Sequence, residues 1–248
     1  GQGPVDLPRK VNVAEFSNQF GSASPGDFPA EVQALQFFRN GGDALYVVRI
    51  NPQEPLSSAL KGSLTLPRLE GLGALLPLSD LGLLICPELT ILADAELAAC
   101  LSQIEFLGRG RPLFTVLDPP PSVVTSVDMR LWRNDQLSSG LSHSAVYFPK
   151  LQVDPAIWTG GVSGERLTVG ASGTIAALIQ KHDAARGIWK APAGTSASIV
   201  SEGLSVDLSN AEVDDLNQSG INSIRDFPTH GQIVWGSRTL DSDPEYRY

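Results

Sequence analysis

Short apolar runs alternate with helical periodicity along most of this chain. Three runs have the length and composition of buried strands, each with a proline at its end or within two residues after it, at residues 81–87, 112–117 and 144–148. Leu97, Leu101 and Ile104 share one face of a helix predicted at residues 94–106, between the first two runs. This alternation of strand and helix predicts a parallel sheet with helices on its faces.

The first part of the chain has the signals of a helix followed by a strand. Pro29 suits a first helical turn, and the Asn-Gly-Gly sequence at 40–42 suits a helix end, because glycine adopts the left-handed conformation there. The β-rich run at 45–50 predicts a mostly buried strand, so we expect a β-α-β start. Residues 52–68 show no clear period and are predicted to form a loop.

The second half adds two helices and late strands. Ser172 is predicted to cap a helix that ends before Gly187. Ser209 and Glu212 have the spacing of a capping box, in which each side chain accepts a hydrogen bond from the other residue's backbone N–H. Late strands are predicted around Ile224 and at 233–235.

The charge of the chain changes which partners are reasonable. The formal net charge is −9, and nucleic-acid-binding surfaces need clustered Lys and Arg, so nucleic acid is not expected as a partner. No Lys or Arg occurs from residue 191 to 224, whereas five carboxylates do, namely Glu202, Asp207, Glu212, Asp214 and Asp215. This acidic segment is a possible intersubunit contact that meets a basic partner, or a solvated surface.

The search for chemistry gives no candidate catalytic, cofactor or metal site. The nearest serine motifs, at 161–165 and 170–174, lack the final glycine of a nucleophile elbow, and no phosphate-binding glycine loop is present. His143, His182 and His230 are isolated in sequence, without the spacing of metal ligands. Cys86 and Cys100 fit neither a metal nor a redox motif, so two free buried thiols in a soluble, reducing compartment are expected.

The last third of the chain contains a specific series of motifs. They are RGIWKAPAG at 186–194, GINSIRDFP at 220–228, GQIVWGSRTL at 231–240 and DPEYRY at 243–248. The series also includes three earlier sequences, at 40–42, 46–49 and 145–149, and its motifs follow one another in the order found in the family that they resemble. Together they resemble the contractile tail sheath proteins of bacteriophages, R-type bacteriocins and related contractile injection systems. The motif residues are Trp189, Lys190, Pro192, Gly194, Asn222, Arg225, Phe227, Pro228, Trp235, Gly236, Arg238, Asp243, Pro244 and Arg247.

This resemblance implies an α/β fold with a mixed, largely parallel central sheet flanked by helices. It implies an N-terminal sheath region at 1–160 and the start of the C-terminal sheath core at 161–248, with the family's terminal arms expected to be missing. Lys150 is a departure, because family members often carry tryptophan there. Trp189 and Trp235 are expected in the core rather than at an interface. Arg225, Arg238 and Arg247 are expected to pair with the acidic segment within the subunit rather than across subunits.

The resemblance also implies a structural, non-enzymatic role without cofactors. Family members polymerise helically around an inner tube and contract, which drives the tube through a target membrane. The implied partners are other sheath subunits, the tube protein, and baseplate and tail terminator proteins, without direct contact to nucleic acid or insertion into a membrane. Such a protein is made in the bacterial cytoplasm and becomes part of a phage virion tail or injection particle. The alternatives are a non-polymerising adaptor or baseplate binding module, and an enzyme with an unrecognised site.

Overall fold

The computed structural model describes residues 3–20, 29–137, 141–159, 164–241 and 243. Its strands are β1 (Arg9–Val11), β2 (Leu45–Val47), β3 (Leu64–Thr65), β4 (Arg68–Leu69), β5 (Leu83–Ile85), β6 (Phe114–Leu117), β7 (Ser144–Phe148), β8 (Leu151–Val153), β9 (Leu167–Val169), β10 (Gly203–Leu204), β11 (Asn222–Phe227) and β12 (Gly231–Val234). Its α-helices are α1 (Val13–Phe20), α2 (Pro29–Arg39), α3 (Leu56–Lys61), α4 (Asp94–Gly108), α5 (Ser126–Gln136), α6 (Ala156–Thr159), α7 (Ser172–Arg186) and α8 (Asn210–Gln218), with 3₁₀ turns at Gly71–Leu75 and Pro87–Ile91.

The central sheet has five strands in the order β12, β11, β7, β6, β5. The pairs from β5 to β11 are parallel, and β12 closes the sheet as an antiparallel hairpin with β11. The three apolar runs found in the sequence form β5, β6 and β7, so the predicted α/β class with a mixed, largely parallel sheet is confirmed. Strand β11 comes from the second predicted region and pairs with β7 from the first, and the boundary at residue 160 stays a prediction.

Both faces of the sheet are covered by helices, which explains why its strands are apolar at successive positions. In β7, Val146 and Phe148 pack with the cluster formed by α4, α5 and α8, whereas Ala145 and Tyr147 pack with α2 and α7. Successive side chains of a strand point to opposite faces, so one strand contributes to both cores. The rigid centre of the molecule is therefore a three-layer α/β core.

The outer edge of β12 is not open. The backbone N–H of Gly194 donates to Val234 at 2.8 Å, Val234 donates to Ala197 at 3.1 Å, and Ile199 donates to Gln232 at 2.9 Å. Residues 194–199 therefore run beside the last strand and satisfy its edge groups. A second sheet, in the order β10, β8, β9, is antiparallel throughout and lies beyond the cis peptide bond between Phe148 and Pro149.

The start of the chain differs from the predicted β-α-β unit. Strand β2 is half-buried and pairs antiparallel with β1, outside the central sheet. The pairing sets Lys10 opposite Tyr46, with the ammonium nitrogen 5.2 Å from the ring centre. An apolar run predicts a strand but carries no information about its partner, which here lies more than thirty residues earlier in the sequence. The β-α-β prediction was therefore wrong.

The region predicted to be a loop at 52–68 contains α3 and the hairpin of β3 and β4. Ala59 and Leu60 of α3 are buried, and the helix packs against α4. A helix of six residues is too short to show a clear period, so packing rather than local pattern determines it. None of the described helices is long and apolar enough to cross a bilayer.

Helix boundaries agree with the sequence signals at most positions. The helix from Pro29 ends before Asn40-Gly41-Gly42, and Gly41 has a φ of 92°. Ser209 and Glu212 form the predicted capping box of α8. Ser172, in contrast, is the first residue of α7 rather than its cap. Helix α5 was not predicted, although Thr125 and Asp128 form a capping box at its start.

Candidate functional site

Asn222 organises the motif residues of the last third. It is fully buried at the start of β11, and its amide group donates to the carbonyls of Val146 at 3.3 Å and Arg238 at 2.8 Å. Its Oδ1 also accepts a hydrogen bond from the backbone N–H of Arg238. A Cβ atom at Gly236 would lie 2.8 Å from this oxygen, so the close approach favours glycine. These motif residues hold the segment after β12 against the sheet.

Phe227, Trp235 and Arg225 form a stack on the hairpin of β11 and β12. The rings of Phe227 and Trp235 lie 5.1 Å apart, and the guanidinium carbon of Arg225 lies 5.3 Å from the centre of the Phe227 ring. Trp235 follows the last residue of β12 and is 45% exposed, so its predicted place in the core was wrong. Val234 occupies the buried position beside it, and Trp235 therefore lies at the surface.

The segment at 187–194, which we call the Trp189 loop, follows α7 directly. Ile188 and Trp189 are each 84% exposed, so the prediction that Trp189 packs in the core was also wrong. Gly187 has a φ of 86° and reverses the chain at the helix end, and the Trp189 ring folds back over it. Lys190 is exposed. The loop rejoins the fold through the N–H of Gly194, and its exposed pair, Ile188 and Trp189, was missed because apolar composition suggests burial.

Three carboxylates of the acidic segment have partners within the chain. Glu202 forms an ion pair of 2.5 Å with Arg39, which lowers the pKa of Glu202, and Asp215 forms one of 2.7 Å with Arg130. Hydrogen bonds from Ser126 and Ser209 lower the pKa of Glu212 to about 2. Glu202 and Asp215 are therefore ion-paired within the chain, and Glu212 is hydrogen-bonded within it.

The cations of these pairs are not the predicted ones. Arg225 donates to the side-chain oxygen of Asn210 at 2.9 Å, and Arg238 donates to that of Asn217 at 2.6 Å. Arg39 and Arg130, the actual partners, lie 163 and 85 residues from their carboxylates, so no local signal identifies them. Asp207 and Asp214 are exposed and form no ion pair within the described ranges.

A groove of about 430 Å³ lies between the segment after β10 and the end of β11. Its apolar lining comes from Leu204, Leu208, Ile224 and Pro228. Its charged lining comes from Asp207 and Asp226, with Arg225 held by Asn210 and Phe227. We call it the Asp207 groove. It joins one residue of the acidic segment with the motif residues Arg225 and Pro228.

A polar cluster lies where β6 and β7 end. Desolvation raises the pKa of Asp118 to about 6, although hydrogen bonds from Ser172 and the charge of Lys150 oppose this shift. Lys150 is buried, its ammonium group donates to the carbonyls of Pro120 and Pro121 at 3.0 and 3.1 Å, and burial lowers its pKa. Lys150 thus places a cation under the proline-rich turn.

Among the residues that the structure describes, no catalytic set comes together. Ser172 donates to Asp118 rather than to a histidine, and Ser163 lies outside the described residues. Within the part of the chain that the structure describes, no group of three or more His, Cys, Asp or Glu residues lies close enough to hold a metal ion. Cys86 and Cys100 are free thiols as predicted, with Cys100 buried and Cys86 half-buried. Of the terminal motif residues, Asp243 donates its backbone N–H to Asp241, while Pro244 and Arg247 lie outside the described residues.

Comparison of the chain with protein-family models gives no match, and comparison with curated proteins gives none either. Solved structures do match. The chain is 25% identical to a chain of the anti-feeding prophage baseplate, with a TM-score of 0.65. It is 24% identical to the helical sheath of the anti-feeding prophage in the contracted state, with a TM-score of 0.68. It is 23% identical to the PVC sheath complex of an extracellular contractile injection system in the contracted state, with a TM-score of 0.71.

These matches cover 98%, 98% and 99% of this chain but 60%, 60% and 59% of the matched chains. The chain therefore spans about three fifths of the length of the structures it matches. Because the match extends over nearly all of this chain, the fold is that of a sheath-like protein of contractile injection systems, as the sequence resemblance predicted.

Proposed function

We propose that this chain is a structural subunit of a contractile injection particle and that its place is in the sheath. One observation carries the proposal: the match to contracted sheath structures extends over 98% to 99% of the chain at TM-scores of 0.68 and 0.71. The motif residues support it too, because Asn222 and Arg238 are joined by hydrogen bonds and Gly236 lies close against Asn222, which fixes the segment after the last strand.

The physical design of the chain suits this role. A subunit that keeps its shape while its contacts change needs a rigid core and a separate set of surface contacts. The central sheet is buried on both faces, whereas Ile188, Trp189 and Trp235 lie at the surface. Ile188 and Trp189 are adjacent, and neighbouring exposed apolar side chains are typical of surfaces that meet another protein.

In this proposal, subunits of the chain stack helically around an inner tube and contract to drive it through a target membrane. The partners are other sheath subunits, the tube protein, and baseplate and tail terminator proteins. Energy for contraction comes from exchanging one set of subunit contacts for another, so the chain acts without catalysis or a cofactor. The protein is made in the bacterial cytoplasm, and a phage tail, an R-type bacteriocin and an injection system are all compatible with this role.

A second candidate is an adaptor or baseplate component that does not polymerise. The similarity to chains of the anti-feeding prophage baseplate, at TM-scores of 0.65 and 0.71, favours it. The two roles differ in copy number and in position along the particle, so microscopy separates them.

The test is immunogold electron microscopy of particles purified from cells that carry an epitope-tagged copy of the full gene. Label along the whole length of the particle is the expected result for a sheath subunit. Label confined to one end identifies the adaptor or baseplate role instead. Particles that carry no label above that of an untagged strain, while the tagged protein is present in the lysate, contradict both roles.

A further inference from the structure

The Trp189 loop presents a large apolar surface to solvent at a single point. Ile188 and Trp189 are each 84% exposed, although both side chain types are usually buried or at an interface. Trp189 does not line the Asp207 groove of its own chain. The loop is thus an exposed apolar tip, and its two side chains belong to none of the hydrophobic clusters of the described residues.

Cations flank this tip. Arg186 and Lys190 lie on either side of Ile188 and Trp189 in sequence, and both are exposed. Neither forms an ion pair with any residue that the structure describes. A partner surface that matches the loop must therefore combine an apolar recess with negative charge.

The Asp207 groove has both properties. Its volume of about 430 Å³ lies within the range of about 300 to 1,000 Å³ that holds compact organic groups, which is enough for an indole ring. Leu204, Leu208 and Pro228 give it apolar walls, and Asp207 and Asp226 stand exposed beside them. Neither carboxylate forms an ion pair within the described part of the chain.

Arg225 also lines the groove, where two neutral neighbours hold its guanidinium. Its guanidinium donates to Asn210 at 2.9 Å and stacks over Phe227. The lining therefore carries two carboxylates and one guanidinium, so the charge that a docking segment meets is net negative.

We propose that the Trp189 loop of one copy docks in the Asp207 groove of a second copy, with Trp189 between the apolar walls and Lys190 and Arg186 facing Asp207 and Asp226. The charge complementarity of the loop and the groove carries this assignment. The contact deepens the proposed function and rests on it, because a homopolymeric sheath needs contacts between unlike surfaces of identical subunits.

The contact has a consequence for symmetry. Loop and groove are different surfaces of one chain, so each copy offers one of each, and the contact is heterologous. Heterologous contacts propagate into closed rings or open helices instead of stopping at a dimer. The contact is small, since one loop enters one groove, and interfaces below about 1,200 Å² are weak, so association is expected at high protein concentration.

The experiment is sedimentation velocity of the full chain up to about 1 mM at low and moderate salt. The wild type is expected to form dimers and longer species as its concentration rises. Trp189→Ala removes the indole ring of the loop. Asp207→Lys together with Asp226→Lys reverses the charge of the groove. Each variant alone is expected to associate about tenfold more weakly or worse, as for residues at the centre of an interface. Lys190→Glu is expected to weaken association most at low salt.

A mixture of the two defective chains gives the most specific readout. The Trp189→Ala chain keeps its groove, and the Asp207→Lys, Asp226→Lys chain keeps its loop, so one contact remains possible between them. The mixture is therefore expected to form a one-to-one dimer and nothing longer. Leu66→Ala, which removes another highly exposed apolar side chain, is the matched control and is expected to associate like the wild type. Equal melting curves for all variants establish that each is folded.

Three results overturn the inference: a wild type that stays monomeric throughout, a Trp189→Ala chain that associates as strongly as the wild type, or a mixture without the dimer. Association of the wild type that survives Trp189→Ala leaves the proposed function intact and removes this contact alone. Absence of the chain from purified particles in the immunogold test contradicts the proposed function, whatever association sedimentation shows.

Discussion

The carboxylate of Asp118 accepts two hydrogen bonds from Ser172, one from the backbone N–H at 2.9 Å and one from the hydroxyl at 2.5 Å. Asp118 directly follows β6, and Ser172 begins α7, so this contact joins a central strand to the helix that covers it. A carboxylate at a helix N-terminus satisfies an otherwise free N–H group and lies favourably in the helix dipole. Asp118 thus supplies from a distant loop the cap that the sequence assigns to Ser172 itself.

The raised pKa of Asp118 gives stability a pH dependence with a defined sign. Its folded-state pKa of about 6 lies above the ordinary value of 3.8. The contribution of Asp118 to the free energy of unfolding is therefore full below about pH 4 and is lost as the pH rises through 6. A difference of about two pKa units corresponds to about 3 kcal/mol. The asparagine of the Asp118→Asn variant is uncharged at every pH. The stability of this variant relative to the wild type is therefore expected to rise by about 3 kcal/mol from pH 4 to pH 8.

Urea unfolding of both proteins across this pH range measures the effect of Asp118. Asp214→Asn, which removes an exposed carboxylate, is the matched control for the loss of one acidic side chain. A difference between the Asp118→Asn variant and the wild type that stays constant with pH would show that Asp118 has an ordinary pKa in the folded protein.

Trp235 is expected to contribute little to stability. It is 45% exposed, and its ring contact with Phe227 is worth about 1 kcal/mol, so Trp235→Ala is expected to cost about 1 to 2 kcal/mol. Phe148→Ala, which removes a fully buried aromatic from the centre of the sheet, is expected to cost about 3 to 5 kcal/mol. Chemical denaturation compares the two, and equal losses would place Trp235 in the core.

The side-chain hydrogen bonds of Asn222 are expected to contribute more to the stability of the fold than those of Asn217. Asn222→Ala leaves buried backbone groups of Val146 and Arg238 without this partner, at a cost of about 2 to 3 kcal/mol. Asn217→Ala removes an amide that contacts the Arg238 side chain, and it is expected to cost less than about 1 kcal/mol. Thermal melting of both variants is the measurement, and a smaller loss for Asn222→Ala would contradict the structural role of this motif residue.

Neutralising Asp214 and Asp215 together is expected to leave the fold intact. Both are exposed, and the pair of Asp215 with Arg130 lies at the surface, so the change in unfolding free energy is expected to be below about 1 kcal/mol. If subunits meet at this segment, assembly weakens with salt, because exposed charges are screened over about 10 Å at 0.1 M. Electron microscopy of particles carrying the double variant checks this. Sheaths of normal length that contract at low and high salt would assign Asp214 and Asp215 to solvation.

The sequence determined the parts of this protein that depend on neighbouring residues. Apolar runs placed β5, β6 and β7, and the spacing of Ser209 and Glu212 placed the start of α8, because both signals act within one turn or one strand. The motif series from residue 186 onward indicated the sheath-like fold. That series is specific because several spaced motifs occur in a fixed order, so the match does not depend on any single residue.

The tertiary structure decided what depends on residues far apart in the chain. Strand β2 pairs with β1, Glu202 pairs with Arg39, and Asp118 caps α7, and in each case the partner lies tens of residues away or more. The exposure of individual side chains also depends on residues that are distant in the sequence. Trp189 and Trp235 are residue types typical of cores, yet each follows the end of an element, where no layer of the described residues covers it. Burial is a property of what packs against a side chain, and the hydrophobicity of the side chain alone does not fix it.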